Sequence, residues 1–546
     1  MSATLSTSLS DRQGFNRRWF APDTNLVLYR PQSSADVLAA VTELYEGGYD
    51  PASVQATCGR HCYEGFVYND ATRALIDLTG LKGFGTATVN GAETLYIDVG
   101  YGNWDMYRIL NNLYQKMLPA GSCYSVGLGG HITGGGYGFF SRLQGLTIDY
   151  LTAADIVIVD PATGPQLIQC SATSHSDLYW AVRGAGGGQF GIITRYYFAT
   201  ETLPDSPSYM FTTTYTWDWY NADGTTIALT QDMFNGIVNT FFFGQYCNQS
   251  ENLWNIFGIL HGNHKDAKSM NLIEIDTYYE ADGIPLRDYV EERKQRLADR
   301  TRMAAEIAPL SDRDCRLNGH PYVHSTHGLG VQLEAGRQHV GYGPDQIFTY
   351  LEGVQTLNGS GPNRHGKYKS AYHITEFTDT MLQAAYAGLT ETVTRADTGA
   401  TVDMSSSLIQ FDSYGGKINT VAPSATAIPQ RSSIGKLQYQ TYWIDNLGPQ
   451  YNDEPLQTAH LNWINGMYGA IYADTDGVPS GPGLEGCYYN YPDIDLGSTA
   501  DDTPPLENAL ELYFGGNLQQ LKLVAAGTNA NRWFSNEQSI CNATIS

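Results

Sequence analysis

Apolar and polar positions along the chain follow two periods. After Ser33-Ser34-Ala35-Asp36, the residues Val37, Leu38, Val41, Leu44 and Tyr45 share one stripe of a 3.6-residue repeat that stops at Gly47-Gly48, which predicts a helix. Short β-type runs are predicted at Leu75 to Leu78 and Thr94 to Val99, with a strong strand in the AADIVIVD run after Leu151. Near Pro204 to Ser208 the pattern changes. Strand-like runs at Tyr209 to Trp217, Leu253 to Leu260, Leu272 to Tyr279, Ser405 to Phe411 and Leu437 to Trp443 then alternate with long helical patterns around Thr225 to Phe243, Pro285 to Ile307, Thr375 to Thr394 and Leu456 to Tyr472. Such a series predicts a broad antiparallel sheet backed by helices in an α+β protein. Residues 310–370 show no period and read as a long loop region on the substrate side.

Composition narrows the function. A chain of 546 residues exceeds the size at which a single core stops growing, so more than one folding unit is expected. It carries 56 acidic and 32 basic residues, a formal net charge of −24, with no basic run, which disfavours nucleic acid and anionic membrane surfaces as partners. No apolar stretch has the length of a membrane span, and the N-terminal residues lack the apolar core of a secretory signal. A cytoplasmic location is therefore favoured, with a secreted protein open if a leader has been removed; N-x-S/T triplets at Asn248, Asn358 and Asn542 would suit the latter. The eight cysteines include Cys58-x3-Cys62, but no second pair with ligand spacing follows, so no metal is expected.

One stretch stands out. Between Gly121 and Leu151 nine glycines are interleaved with Cys123, Tyr124, His131, Tyr137 and Phe139-Phe140, which argues against a flexible linker. Glycine is costly to order and is kept where backbone must approach something closely or take positive φ. Successive turned N–H groups make an anion cradle, so a nucleotide cofactor is predicted. No G-x-G-x-x-G here follows a strand and opens a helix, so this is not a Rossmann turn. A second singular stretch is Thr57 to Phe66, TCGRHCYEGF, which places His61 62 residues before Cys123.

Taken together, T-C-G-R-H-C-Y-E, Cys123 with V-G-L-G-G-H and G-G-G-Y-G, the D-L-Y-W-A-V-R-G-A-G-G-G-Q-F-G-I-I-T string of Asp177 to Thr194, Y-G-G-K-I-N at Tyr414, T-A-I-P-Q-R at Thr426 and Y-Y-N-Y-P-D-I-D-L at Tyr488 resemble the berberine bridge enzyme-like FAD oxidases of the vanillyl-alcohol oxidase superfamily. The motif wording is closest to oxidases of hexoses and glycosylated natural products. The resemblance implies a two-part FAD-binding domain of the vanillyl-alcohol oxidase type over residues 1–205, a substrate domain over 206–490, and a return to the FAD domain over 491–546. It implies FAD held by two covalent bonds, from His61 and from Cys123. The cofactor would lie against Gly59, Arg60, Val126, Gly127, Gly129, Gly130, His131, Gly134, Gly135, Gly188, Gly191, Ile193 and Asn490. Arg60 stands where the family has a glycine; because arginine resists positive φ, the loop is expected to bend differently or to turn that side chain toward the cofactor phosphates.

The chemistry implied is oxidation of an alcohol or sugar hemiacetal to a carbonyl or lactone, with dioxygen reduced to hydrogen peroxide. Tyr491 is carried over as the base that takes the hydroxyl proton, with Tyr414 and Tyr137 sharing the pocket. A tyrosine near pKa 10 is a poor base until its surroundings lower it. Val126, three residues after Cys123, matches the oxidases rather than the dehydrogenases. Two alternatives remain open: an oxidative cyclase, and a flavin-binding protein without turnover. The substrate and the oligomeric state are left open.

Overall fold

The structure, a computed structural model, describes residues 4–6, 8–311, 345–359, 361, 363–444, 453–496 and 506–544. Sixteen strands in the described residues form three sheets in chain order. The first comprises β1 (Thr4–Ser6), β2 (Leu26–Tyr29), β3 (Val54–Thr57) and β4 (Ala74–Asp77), ordered β1-β2-β4-β3, with β4 parallel to both β2 and β3. The second comprises β5 (Phe84–Val89), β6 (Ala92–Asp98), β7 (Leu151–Asp160), β8 (Gly164–Ser171) and β9 (Ile192–Ala199), ordered β5-β6-β9-β7-β8 and antiparallel throughout.

Between these sheets the predicted helix forms over Ser34–Glu46. It is capped by Ser33, whose side chain accepts from the Asp36 N–H; Val37, Ala40, Val41 and Leu44 are buried, and Gly48 has left-handed φ just past its end. Val37, Val41 and Leu44 of the predicted stripe are buried and Ala40 joins them, while Leu38 is half-buried and Tyr45 at the margin stays 40% exposed.

The third sheet has seven strands: β10 (Tyr209–Asp218), β11 (Ile256–Asn263), β12 (Ser269–Tyr278), β13 (Asp345–Thr349), β14 (His365–His373), β15 (Leu408–Ser413) and β16 (Gly435–Trp443). Their order is β13-β10-β12-β11-β15-β16-β14, and every pairing is antiparallel. Side chains alternate between its faces. One set, including Leu260, Leu272, Ile409, Phe411, Leu437 and Tyr439, packs in a single core with helices Gln231–Phe243, Asp379–Thr390 and Glu454–Ile471. The opposite set, Phe257, Ile259, Ile273, Gln410, Asp412 and Gln438, lines a large cavity. Late helices Leu506–Phe514 and Leu518–Thr528 join the core of the first two sheets, and the second of them packs on β7.

The fold departs from the sequence pattern at two places. The span read as a loop region at 310–370 contains β13, the helix Tyr350–Thr356 and the edge strand β14; residues 312–344 lie outside those described. β14, HGKYKSAYH, was missed because its lysines and serine suggest a polar loop, whereas all nine residues are buried. The triplet asparagine Asn358 is also buried, with its Oδ1 accepting from the Tyr124 N–H, so it is no surface acceptor for a glycan.

Candidate active site

Two loops meet at the cavity wall. A Cβ on Gly59 would lie 2.1 Å from the Gly127 backbone nitrogen, and one on Gly127 would lie 2.3 Å from Cys58 Sγ, so glycine at both positions is what lets the loops touch. Contact brings His61 and Cys123 to one wall of a cavity of about 400 Å³. His61 Nε2 lies 2.9 Å from Ser125 Oγ, and its ring stacks on Phe15 at 4.9 Å between centroids. The Cys123 carbonyl accepts from Asn103 Nδ2 at 3.1 Å, and the same amide reaches the Gly121 carbonyl at 3.3 Å. Asn103 Oδ1, at the same wall and fully buried, has no hydrogen-bond partner among the described residues.

Arg60 takes up positive φ and keeps its charge within the protein. Its φ is +61°, a left-handed conformation that glycine adopts freely, and its guanidinium pairs with Asp77 at 2.6 Å and Asp11 at 3.8 Å. Left-handed backbone costs a non-glycine residue about 1–2 kcal/mol, and an ion pair to the buried Asp77 carboxylate offsets a cost of that size. Arg60 borders the cavity, and its charge is committed to Asp77.

The remaining predicted cofactor residues divide. Val126, Gly129, Gly130, His131, Gly188, Gly191, Ile193 and Asn490 line the cavity. Gly130 and Gly188 face open space, and Gly188 has φ +72°. A cavity edged by bare backbone at these positions, with an orphaned amide oxygen at Asn103, is a cradle that a Cβ would fill, and it fits a flavin nucleotide. Gly134 and Gly135 lie behind this wall. A Cβ on Gly134 would strike the Asn490 amide at 2.1 Å, and Gly135, at φ +125°, packs near Ile428. Their small size serves packing rather than direct lining. Burial holds the His131 imidazole neutral, down to about 4, and its Nε2 accepts from the Gly121 N–H at 2.9 Å, which puts the ring proton on Nδ1.

Of the three predicted tyrosines, Tyr491 and Tyr137 reach the cavity. Tyr414 does not: it is fully buried behind Tyr137, ring centroids 5.3 Å apart, and its hydroxyl donates to the Gln430 carbonyl at 3.0 Å. The Tyr137 hydroxyl donates to the Ser413 carbonyl. Tyr491 makes no such bond among the described residues, and its ring sits against Tyr63 at 5.5 Å and Tyr488 at 5.0 Å. Burial raises the Tyr491 phenol well above its ordinary value, so the pocket alone does not make it a base.

The counterweight is Lys436 on β16, which the hydropathy pattern did not reveal. Its Nζ lies 3.9 Å from the Tyr491 ring centre, 4.7 Å from that of Tyr137 and 4.9 Å from that of Tyr488, with no hydrogen bond among the described residues. Burial draws this ammonium down to about 8, with Asp412 acting in the opposite direction. A cation over three ring faces stabilises a tyrosinate there. Its one sequence signal is a charged residue between Gly435 and Leu437, at the start of an otherwise strand-like run.

The loop that presents Tyr491 is fixed by a buried ion cluster, also unread in the sequence. Lys367 on β14 bonds Glu64 at 2.6 Å, Asp493 at 2.7 Å and Asp495 at 2.9 Å, and Lys369 bonds Asp493 at 2.6 Å. Burial alone would raise the Asp493 carboxyl, but the two lysines outweigh it and hold it down to about 2. Asn490 donates to the carbonyls of Gly130 and His131, which ties the same loop to the glycine-rich segment.

Comparison with known proteins agrees with this geometry. Residues 26–163 match the model of an FAD binding domain, and 487–541 match a berberine and berberine-like model. Hexose oxidase of Chondrus crispus is 35% identical over 97% of this chain and 92% of its own length. Aclacinomycin-N/aclacinomycin-A oxidase of Streptomyces galilaeus is 29% identical over 94% of this chain and 84% of its own. A solved structure of a glycopeptide hexose oxidase complexed with teicoplanin superposes with a TM-score of 0.76 at 25% identity, covering 99% of both chains. The chain belongs to the berberine bridge enzyme-like family of FAD-linked oxidases, and it is an FAD-dependent oxidoreductase acting on CH–OH groups.

Proposed function

We propose that the substrate is a hexose, an oligosaccharide or a glycosylated natural product, oxidised at a hemiacetal or secondary alcohol, and that FAD is held by bonds from both His61 and Cys123. When bound, the flavin would supply a hydride acceptor whose electrons go on to dioxygen. The chain's residues do the rest. Gln410, Asp412 and Gln438, on alternate positions of β15 and β16, give the cavity polar groups suited to sugar hydroxyls, while Phe257, Ile259 and Ile273 give it an apolar floor. Tyr491 takes the hydroxyl proton as the C–H bond breaks, and Lys436 holds the negative charge that passes through its ring.

The observation that carries this reading is the Lys436 ammonium 3.9 Å from the ring of the one predicted tyrosine whose hydroxyl is not spent on the protein among the described residues. Hexose oxidase and the glycopeptide hexose oxidase act, by their names, on sugars, which supports the substrate class. Digestion of the denatured protein followed by tandem mass spectrometry tests the cofactor claim, with one flavin expected to bridge the His61 and Cys123 peptides. Peroxide release across a panel of sugars, glycosides and simple alcohols tests the substrate claim. Release with simple alcohols alone would contradict it.

A further inference from the structure

We propose that Ser125 is the positioning residue for the histidyl link: its hydroxyl holds His61 Nε2 and so orients the ring for bond formation through its other nitrogen. The inference rests on the two-link reading above. His61 Nε2 and Ser125 Oγ are 2.9 Å apart, although 64 residues separate them. Ser125 belongs to the Cys123 loop, so one link loop holds the ring of the other. Phe15 covers one face of that ring at 4.9 Å with planes 25° apart, and Phe15 is itself fixed by its N–H donating to the Arg60 carbonyl at 2.8 Å. A ring stacked on one face and bonded at Nε2 has its orientation set, and a neutral imidazole with its proton on Nε2 carries the nucleophilic lone pair on Nδ1.

A hydroxyl suits this position because the proton inventory reverses during the link. When Nδ1 bonds to the flavin's 8α methyl carbon, one C–H bond of that methyl breaks, the N–C bond forms, and the imidazole loses the proton on Nε2. Two electrons and two protons are left over, and dioxygen, the acceptor of the assigned reaction, takes them as hydrogen peroxide. Beforehand Ser125 Oγ accepts from Nε2–H; afterwards Nε2 is a bare lone pair and the Ser125 O–H donates to it. Only a group that both donates and accepts keeps the bond through the change.

The test compares Ser125→Thr with Ser125→Val in the full chain expressed with FAD, because the two replacements share a shape and differ in the hydroxyl. Peptide mass spectrometry reads the fraction of flavin on His61 and on Cys123 separately. The Thr variant is expected to match the parent, and the Val variant to lose at least tenfold of the His61 link while keeping the Cys123 link. Equal His61 linkage in both variants, or equal loss in both, overturns the assignment. If the Val variant does not fold, Ser125→Ala decides: it is expected to lose the His61 link, and full linkage in it overturns the proposal. A parent protein without flavin on His61 defeats the two-link reading instead, which is a separate outcome.

Discussion

Replacing Lys436 with Met removes the cation beside Tyr491 and keeps an unbranched side chain one atom shorter. A phenolate oxygen lies beyond its ring centre, so the charge separation is on the order of 5 Å, and at an effective dielectric of about 20 the lost attraction is about 3 kcal/mol. At about 1.4 kcal/mol per factor of ten, flavin reduction by substrate should slow roughly 100-fold. Stability should move the other way. Burial lowers this lysine from its usual 10.5 to about 8, so between those values the unfolded chain binds more protons than the folded one and stability rises with pH. Below pH 8 the folded state carries a penalty on the order of 3 kcal/mol, which methionine does not. The Met variant should therefore be slower yet no less stable, and the parent's decline in reduction rate above about pH 8, where the ammonium is lost, should be absent from it. Stopped-flow reduction under anaerobic conditions across pH 6 to 10, with thermal melts in parallel, measures both. A variant that melts lower and reduces flavin at the parental rate would refute a catalytic role for this cation.

Tyr491→Phe should lower the reductive half-reaction by roughly 10²- to 10⁴-fold, the range for a lost base, with the flavin spectrum intact; a near-parental rate in stopped flow would remove Tyr491 from the mechanism. Val126 lines the cavity, so Val126→Leu should slow reoxidation by dioxygen and leave anaerobic reduction almost unchanged; equal slowing of the two half-reactions would make it a packing residue. Gly59→Ala places a Cβ 2.1 Å from the Gly127 nitrogen, where only backbone can yield, so retained flavin per chain after denaturing gel filtration should fall sharply; full retention would show that the two loops need not touch.

How far the sequence could be read depends on which residues face what. The Ser34–Glu46 helix was legible because one of its faces meets solvent, which leaves a stripe. β14 was not, because its lysines neutralise Glu64, Asp493 and Asp495 inside the protein, and a buried ion cluster has the composition of a surface loop. Lys436 was hidden for a different reason: its ammonium is buried over ring faces rather than paired with a carboxylate among the described residues, and a lone lysine reads as a surface residue. His61, Cys123 and Tyr491 were found through motif wording, which names residues without giving their surroundings. The hydrogen bond from His61 to Ser125, the ion pair that lets Arg60 keep a glycine's φ, and the placement of Tyr414 behind Tyr137 all depend on chain segments distant in sequence. Local pattern carries no record of such contacts.

Oxidation of a sugar in this cavity, through bound flavin with dioxygen as acceptor, has a direct signature in the flavin itself. Anaerobic addition of hexoses, oligosaccharides and glycosylated compounds to the purified protein, followed by admission of air, tests it most directly. At least one of them should bleach the flavin absorbance fully, and air should restore it with about one hydrogen peroxide per flavin. A flavin that no sugar bleaches, or a reduced flavin that air does not reoxidise, would contradict it.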